Sequence, residues 1–495
     1  MVLNRTVTSS FLVVGGRFTS RLIDLFALLI LTRLLIPADF GKIAIALSLV
    51  SLIDASLEFP INQALLSVTD ATREHYNTAF TLSAFRGLVL FAIANSVAYP
   101  YSLFYAQPQI QLIVLALSFA SFIRTLTNPA LAFYQRYSIF WRDVGVEFTG
   151  KIVYLISTLI FAYYLRNYWA LVIGTTAASF VYVFMSYLLA PFEPKISFKE
   201  SIFFRSYIGS IAFAQVISTF NWQFEKMLLG KFYDNTKLGI YSTSNDIAQM
   251  PLIAVLNPLS RPLLAAFARE KSDKQKLSII YLNSSSVILM VALPILIGIC
   301  LIADNIINSM FDPNWLEAIP LLQLLALSML PGPFAMAVVP LSLAYGRSKT
   351  FLMRSLIEFS TKVPLMVLGV YYYGFYGVIF ARLISELSTI AYSLYVVRNL
   401  INISISKQIL CGWQSVVSSL AMVPAVIATK DLMLNFGWSM NSVTLLIICV
   451  FTGAVSYVVS QLMLWAALGF RRTPISLFFI SILRRTLGNR LRMLL

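Results

Sequence analysis

"TRLLIPADFGKIAIA", residues 32–46, parts two long apolar runs with a proline, an aspartate and a glycine. A related stretch, "KMLLGKFYDNTKLGIYSTS", returns at 226–244. Each leaves one apolar run, crosses a short polar connection, and sets a glycine, Gly41 or Gly239, just before the next run. The two glycines stand 198 residues apart. Pro37 and Asp39 suit a turn and the first residues of a helix, where a carboxylate meets the positive end of the helix dipole. A glycine at the next step lets the helix pass close to a neighbour.

Apolar runs of this kind recur along all 495 residues, which are 59% hydrophobic and only 12% charged. Mean hydropathy is +0.80. Soluble domains carry about 25% charge, and about 20 apolar residues cross a hydrocarbon core of roughly 30 Å. Spanning chains are helical or closed barrels, and these runs lack the alternation of barrel strands. The fold class is therefore an all-α polytopic membrane protein. The runs centre within 10–31, 43–64, 78–98, 110–128, 148–165, 169–189 and 207–228 in the first part of the chain. Those of the second part are 244–264, 278–302, 318–343, 355–371, 375–396, 412–429 and 441–466. That makes about fourteen transmembrane helices.

Six spans separate the two glycine-ended connections, and an even number repeats in parallel, about an axis along the membrane normal. The expected organisation is an N-terminal six-helix lobe, 1–195, and a C-terminal six-helix lobe, 196–400. Two additional transmembrane helices, 401–470, and a basic amphipathic tail, 471–495, complete it. In the tail, Arg484, Arg485, Arg490 and Arg492 alternate with Leu and Ile, which suits the surface of an anionic leaflet. Connections on the side of the N-terminus hold 25 Lys/Arg; those on the other side hold 6. This positive-inside bias places both termini in the cytoplasm. It also accounts for most of the formal +16 charge without a nucleic-acid partner.

Ionisable groups at membrane depth are costly and usually face a cavity or one another. The first span carries Arg17, Arg21 and Asp24 on one face. The second carries Asp54 and Glu58, the third Arg86, the seventh Glu225 and Lys226, the eighth Asp246. Glu358 with Lys362, and Arg382 with Glu386, are i, i+4 pairs suited to neutralising themselves. Arg17, Arg21 and Arg86 are the candidates for an anionic guest, since the planar guanidinium grips phosphate with two hydrogen bonds. Snorkelling to the headgroups is the competing account for Arg17. Gln215, Ser218, Thr219, Asn221 and Gln223 make the seventh span too polar to face lipid, so Gln215 and Asn221 are expected at a cavity or lobe interface.

Other features point away from chemistry. Cys300, Cys411 and Cys449 lie in or beside apolar runs and read as packing residues, with no Cys/His metal spacing. His75, the single histidine, reads as a solvated connection residue. "DFG" at 39–41 lacks every other kinase element. The largest outer connection, 303–319, has only Asp304, Asp312 and Glu317 and reads as a lip over a cavity, too small for a catalytic platform.

With the span layout, "ILTRLLIPADFGKIAIALSLV", "NPALAFYQRYSIFWRDVGVE" (128–147) and "FEKMLLGKFYDNTKLGIYSTSNDIAQMPLIAVLNPLSRPLLAAFARE" (224–270) resemble the bacterial polysaccharide transporters. These are oligosaccharide-lipid flippases of the multidrug/oligosaccharidyl-lipid/polysaccharide exporter superfamily. The resemblance covers 1–400, and the remainder fits the longer members. Two departures stand out: Glu225–Lys226 where the family commonly has Asp–Lys, and Asp234–Asn235 where a glycine often stands. The resemblance implies a polyprenyl-pyrophosphate oligosaccharide as substrate, two lobes rocking about a central cavity, and an inner-membrane location. It implies no cofactor and no covalent chemistry. Partners would be membrane lipids and the polymerase, chain-length or export proteins of polysaccharide synthesis. An ion-coupled multidrug exporter of the same superfamily and a membrane glycosyltransferase or polymer ligase are the alternative readings. The sugar and any coupling ion stay open.

Overall fold

A computed structural model describes residues 2–58, 61–68, 71–137, 139–205, 210–435 and 442–468. The basic tail expected at 471–495 lies outside the described residues. The chain forms two compact units, Met1–Thr243 and Ser244–Leu495. Among the described residues there is no β-strand.

The first unit opens with α1 (Val2–Leu34), α2 (Pro37–Ser56), α3 (Ile61–Ser67), α4 (Arg73–Phe104) and α5 (Gln109–Thr125). It continues with α6 (Leu131–Arg136), α7 (Trp141–Leu165), α8 (Trp169–Leu189), α9 (Ser201–Arg205) and α10 (Ser210–Phe232). α11 (Asn235–Leu256) begins in this unit and ends in the next. The second unit adds α12 (Ser260–Arg269), α13 (Lys274–Met310), α14 (Ala318–Ser328) and α15 (Val338–Ala344). α16 (Lys349–Ile401), α17 (Ile405–Leu410), α18 (Trp413–Asn435) and α19 (Ser442–Ala467) close it.

Among the described residues nine helical segments are long and apolar enough to cross a membrane. They are Arg73–Phe104, Trp141–Leu165, Trp169–Leu189, Asn235–Arg269, Lys274–Met310, Ala318–Ala344, Lys349–Ile401, Trp413–Met433 and Ser442–Ala467. The chain is thus an all-α, multi-pass membrane protein.

The opening sequence folds as its residues dictate. α2 begins at Pro37, where a missing N–H costs nothing, and Asp39 lies in its first turn. Between α7 and α8 the short "LRNYW" turn reverses because Arg166 takes a left-handed conformation, φ 48°, and closes its N–H on Ala162 O at 3.1 Å. In the second unit, α16 is two rods: Gly374, φ 64° and ψ −145°, breaks the helix between the expected spans 355–371 and 375–396. The rods then run back along each other. Gly369 and Gly377 bring their backbones together, and Thr361 Oγ1 meets Ser385 Oγ at 3.0 Å.

The span expected at 318–343 is the apolar segment Ala318–Ala344, in which a 3₁₀ turn at Gly332–Ala335 separates α14 from α15 where Pro331 and Pro333 remove backbone donors. Two expectations need correction. The outer connection expected from residue 303 is still helix through Met310, since "LIADNIINSM" holds no breaker, and Asp304 sits on α13 rather than on a lip. His75 is not a solvated loop residue: it occupies the first turn of α4 as half of a capping box. Its Nδ1 lies 2.8 Å from Thr72 Oγ1 and accepts from Thr72 N–H at 3.3 Å, while its ring meets Phe203 edge-on.

The cysteine reading agrees with the packing. Cys449 is buried in a cluster with Met290, Met422, Val426 and Tyr457, where α18 and α19 lie on α13. Tyr457 donates its hydroxyl to Met290 O at 2.8 Å, so the aromatic body is buried without an orphaned polar tip. Outside the spans, Asp273 caps α13. It accepts the backbone N–H groups of Lys276 and Gln275 at 3.0 Å each, which holds its carboxyl below the usual range.

Candidate functional site

α1 packs along α7 in the first unit, with Gly16 close against Val144. Two turns further along both helices, Asp24 of α1 meets Lys151 of α7. Arg21, one turn before Asp24 on α1, reaches the other carboxylate oxygen at 3.4 Å. One carboxylate is therefore shared by two cations, and the trio keeps one positive charge in excess. The Asp24 side chain is 15% exposed, against 32% for Lys151 and 46% for Arg21. The anion is thus the sheltered member and the cations are the reachable ones. Arg17 is on the same helix, but its side chain lies outside the described residues.

Lys151 was missed by sequence reasoning: it falls at the start of the expected span 148–165 but was counted with the basic residues of the connection before it rather than with the charges at membrane depth. The signal was present: "WRDVGVEFTGKIVYL" contains no proline, and the helix that starts at Trp141 runs through Gly145 and Gly150 and carries Lys151 inward.

Arg86 of α4 is held by Asp54 of α2. Its Nη2 donates to the Asp54 carboxylate and also to the Asp54 carbonyl oxygen at 3.3 Å. Its buried Nε has no acceptor among the described residues. Glu58 lies just beyond the end of α2 and is exposed. The structure therefore brings Arg21 with Asp24 and Arg86 with Asp54, in two separate pairings on different helix pairs.

On α10, Asn221 and Glu225 are buried, while Gln215 and Lys226 are half-buried. Glu225 accepts a hydrogen bond from Tyr241 Oη of α11, which ties the seventh helix to the start of the eighth. Nearby, Tyr105 Oη, just after α4, donates to Met227 O at 2.9 Å, and Lys231 Nζ donates to Phe104 O at 2.5 Å.

In the second unit, Glu358 and Lys362 pair at 3.8 Å, one turn apart on α16, with the Lys362 side chain 7% exposed. Arg382 donates to Asn245 Oδ1 at 2.7 Å, and Glu386 lies beside Gly332. Asp246 is exposed. Asp304 of α13 binds Lys430 of α18 at 2.5 Å, and Lys430 also donates to Leu301 O at 2.7 Å. Among the described residues no group of three His, Cys, Asp or Glu side chains is arranged to hold a metal ion.

Residues 30–320 match a family described as polysaccharide biosynthesis protein. The chain belongs to that family. This member is 21% identical over 410 residues to the lipopolysaccharide biosynthesis protein WzxC of Escherichia coli, covering 79% of this chain and 80% of that one. It is 23% identical over 289 residues to the teichuronic acid biosynthesis protein TuaB of Bacillus subtilis, covering 55% of this chain. That match spans little more than half, 57%, of the Bacillus protein.

In fold, the family member is similar to the lipid II flippase MurJ in an inward closed conformation, with a TM-score of 0.72 at 16% identity. That likeness covers 92% of this chain and 98% of the flippase. An inward-facing multidrug resistance MATE transporter of the MOP superfamily gives a TM-score of 0.56 at 13% identity, over 80% of this chain and 96% of the transporter. The family member is thus a polytopic membrane protein of polysaccharide biosynthesis whose fold is like that of this flippase and this transporter.

Proposed function

We propose that the chain is a flippase that moves polyprenyl-pyrophosphate-linked oligosaccharide repeat units from the cytoplasmic to the outer face of the inner membrane. The observation that carries this reading is the trio Arg21–Asp24–Lys151, two reachable cations on one sheltered carboxylate. A pyrophosphate carries more negative charge than Asp24 and can draw both cations, replacing one charge-assisted contact by several. Arg17 extends the same face of α1 toward the basic side, and Arg86, tethered by Asp54, adds a further positive group. Gln215 and Asn221 are assigned to the sugar, as polar replacements for its water.

The relatives support this assignment: they act in lipopolysaccharide and teichuronic acid biosynthesis, and the likeness in fold is to a lipid II flippase. The full architecture proposed is fourteen spans with both termini cytoplasmic. Its support is the 25-to-6 distribution of Lys/Arg and the helix inventory. The nine apolar segments become ten when α16 is counted as two rods, and α1, α2, α5 and α10 complete fourteen. The division into parallel lobes 1–195 and 196–400 rests on the 198-residue repeat. Polymerase, chain-length and export proteins are the proposed partners.

The deciding experiment is a transbilayer assay in proteoliposomes with a defined lipid-linked oligosaccharide, run with and without ion gradients. Transport by wild type and loss in Arg21→Ala at equal protein level is the expected result. A second reading, an ion-coupled multidrug exporter, draws on the likeness to MATE transporters. It predicts gradient-driven efflux of cationic dyes and no movement of the lipid-linked sugar.

A further inference from the structure

A cavity of about 540 Å³ opens in the first unit, lined by none of the Arg21–Asp24–Lys151 trio. It is walled by Tyr76 at the start of α4, Phe133 and Tyr134 of α6, and Pro191 and Phe192 after α8. One cation and one anion stand among the lining residues, Arg73 and Glu193. Arg73 is exposed, stacks over the Phe192 ring at 5.9 Å and donates to Glu193 O at 3.5 Å. Arg142 braces the wall from behind: its guanidinium lies 3.8 Å over the Tyr134 ring, and Nη1 donates to Leu189 O at 2.6 Å. Phe133 of the wall and the residues that follow it, Tyr137, Ile139 and Trp141, are exposed, 43%, 62%, 37% and 51% accessible. The Phe133 and Tyr137 rings lie 4.7 Å apart.

We propose that this cavity holds the phosphoethanolamine headgroup of a resident bilayer phospholipid, taken from the leaflet on the Lys/Arg-rich side of the protein. A run of exposed aromatics flanked by arginines is the composition of a protein's membrane–water boundary. A cavity at that boundary meets phosphate-headed lipids at high local concentration, and its volume suits a small polar ligand. Arg73 supplies the planar fork for the phosphate. Glu193 supplies the partner for a primary ammonium by ion pairing, beside the aromatic wall that Arg73 and Arg142 already brace. The lining charges cancel, so a zwitterion matches them and a purely anionic head does not. A pyrophosphate-linked sugar has no cation to offer Glu193, which separates this site from the transport path and makes the inference independent of the flippase reading.

The test uses the full-length protein, delipidated in detergent and exposed to equal mole fractions of phosphatidylethanolamine, phosphatidylglycerol and phosphatidylcholine. Native mass spectrometry reads the retained lipid. Wild type retains phosphatidylethanolamine over the other two. Arg73→Ala weakens that retention about tenfold, the loss of one charge-assisted contact. Glu193→Gln keeps lipid but loses the preference for ethanolamine over glycerol. Equal or stronger retention of phosphatidylglycerol by wild type overturns the proposal, and so does unchanged retention in Arg73→Ala. If Arg73→Ala does not accumulate, the headgroup preference of wild type decides alone. Soluble phosphoethanolamine in excess is the last arm. Binding of the soluble head without any retained lipid marks a metabolite site and rejects the lipid.

Discussion

Gly41 of α2 and Gly239 of α11 take matching parts in one reciprocal contact. A Cβ added to Gly41 would land on the carbonyl of Asn235, and one added to Gly239 would land on the carbonyl of Pro37. Pro37 and Asn235 each open their own helix, four residues before its glycine. The two halves of the contact are thus the same contact seen from each side, as at a two-fold interface. The glycines that first drew attention as sequence punctuation are close-approach residues for each other.

Alanine at either position forces a methyl group into peptide backbone, which cannot swing aside as a side chain does. Gly41→Ala and Gly239→Ala should each cost about 1–3 kcal/mol. Thermal unfolding in detergent measures this. Because both glycines serve one contact, the double variant should lose less than the sum of the single losses. Wild-type melting in both single variants would contradict the close approach.

Arg86 and Asp54 offer a second measurement. The Arg86 side chain is 16% exposed and Asp54 is 45% exposed, so the pair is half in and half out of solvent. Asp54→Ala strands a sheltered guanidinium and should destabilise by about 1–3 kcal/mol, the lower end reflecting solvent screening of Asp54. Arg86→Ala leaves behind the more exposed partner and should cost less. A double-mutant cycle with no coupling energy would show that the two groups are merely neighbours.

Asp273 makes acid sensitivity local. Its carboxyl is held below the usual range by the N–H groups of Lys276 and Gln275, so the folded state favours the ionised form. The sign follows: this stabilising contribution is complete above the unfolded pKa, about 3.9, and fades as pH falls through the lower folded value. Asp273→Ala should therefore melt below wild type at pH 7, and the two should converge as pH falls through that lower folded value. A constant difference across that range would assign the effect to packing.

Much of this was readable in the residues. Pro37, Asp39 and Gly41 announced a helix start with a near neighbour because backbone chemistry is local. The i, i+4 spacing of Glu358 and Lys362 fixed their pairing for the same reason. What escaped was contact between distant segments. That Asp24 would meet Lys151 rather than only Arg21 depends on how α1 lies along α7, which no window of sequence encodes. His75 looked like a loop residue because a charged R-E-H reads as connection, although the helix begins two residues before it, at Arg73. Asp304 looked like a loop acid because hydropathy falls where helix α13 continues into a polar turn. Hydropathy reports lipid contact, and helices do not end where lipid does.

The trio at α1 and α7 carries the most consequential prediction. If two cations receive the pyrophosphate, Lys151 must matter as much as Arg21, although only Arg21 was evident from the first span. Lys151→Gln and Arg21→Ala should each slow flipping about tenfold at equal protein level, the worth of one charge-assisted contact. Arg21→Lys should recover part of the loss, since charge survives but the planar fork does not. Asp24→Asn separates binding from stability. Removing the shared anion leaves two cations beside each other, which should lower the melting temperature while tightening the binding of inorganic pyrophosphate. A purely structural trio behaves otherwise: all three variants would lose stability together, and pyrophosphate affinity would not move. Titration calorimetry with pyrophosphate on each purified variant, read beside its melting curve, distinguishes the two. Unchanged affinity in Asp24→Asn and in Lys151→Gln would remove these residues from the transport path and return them to the packing of α1 on α7.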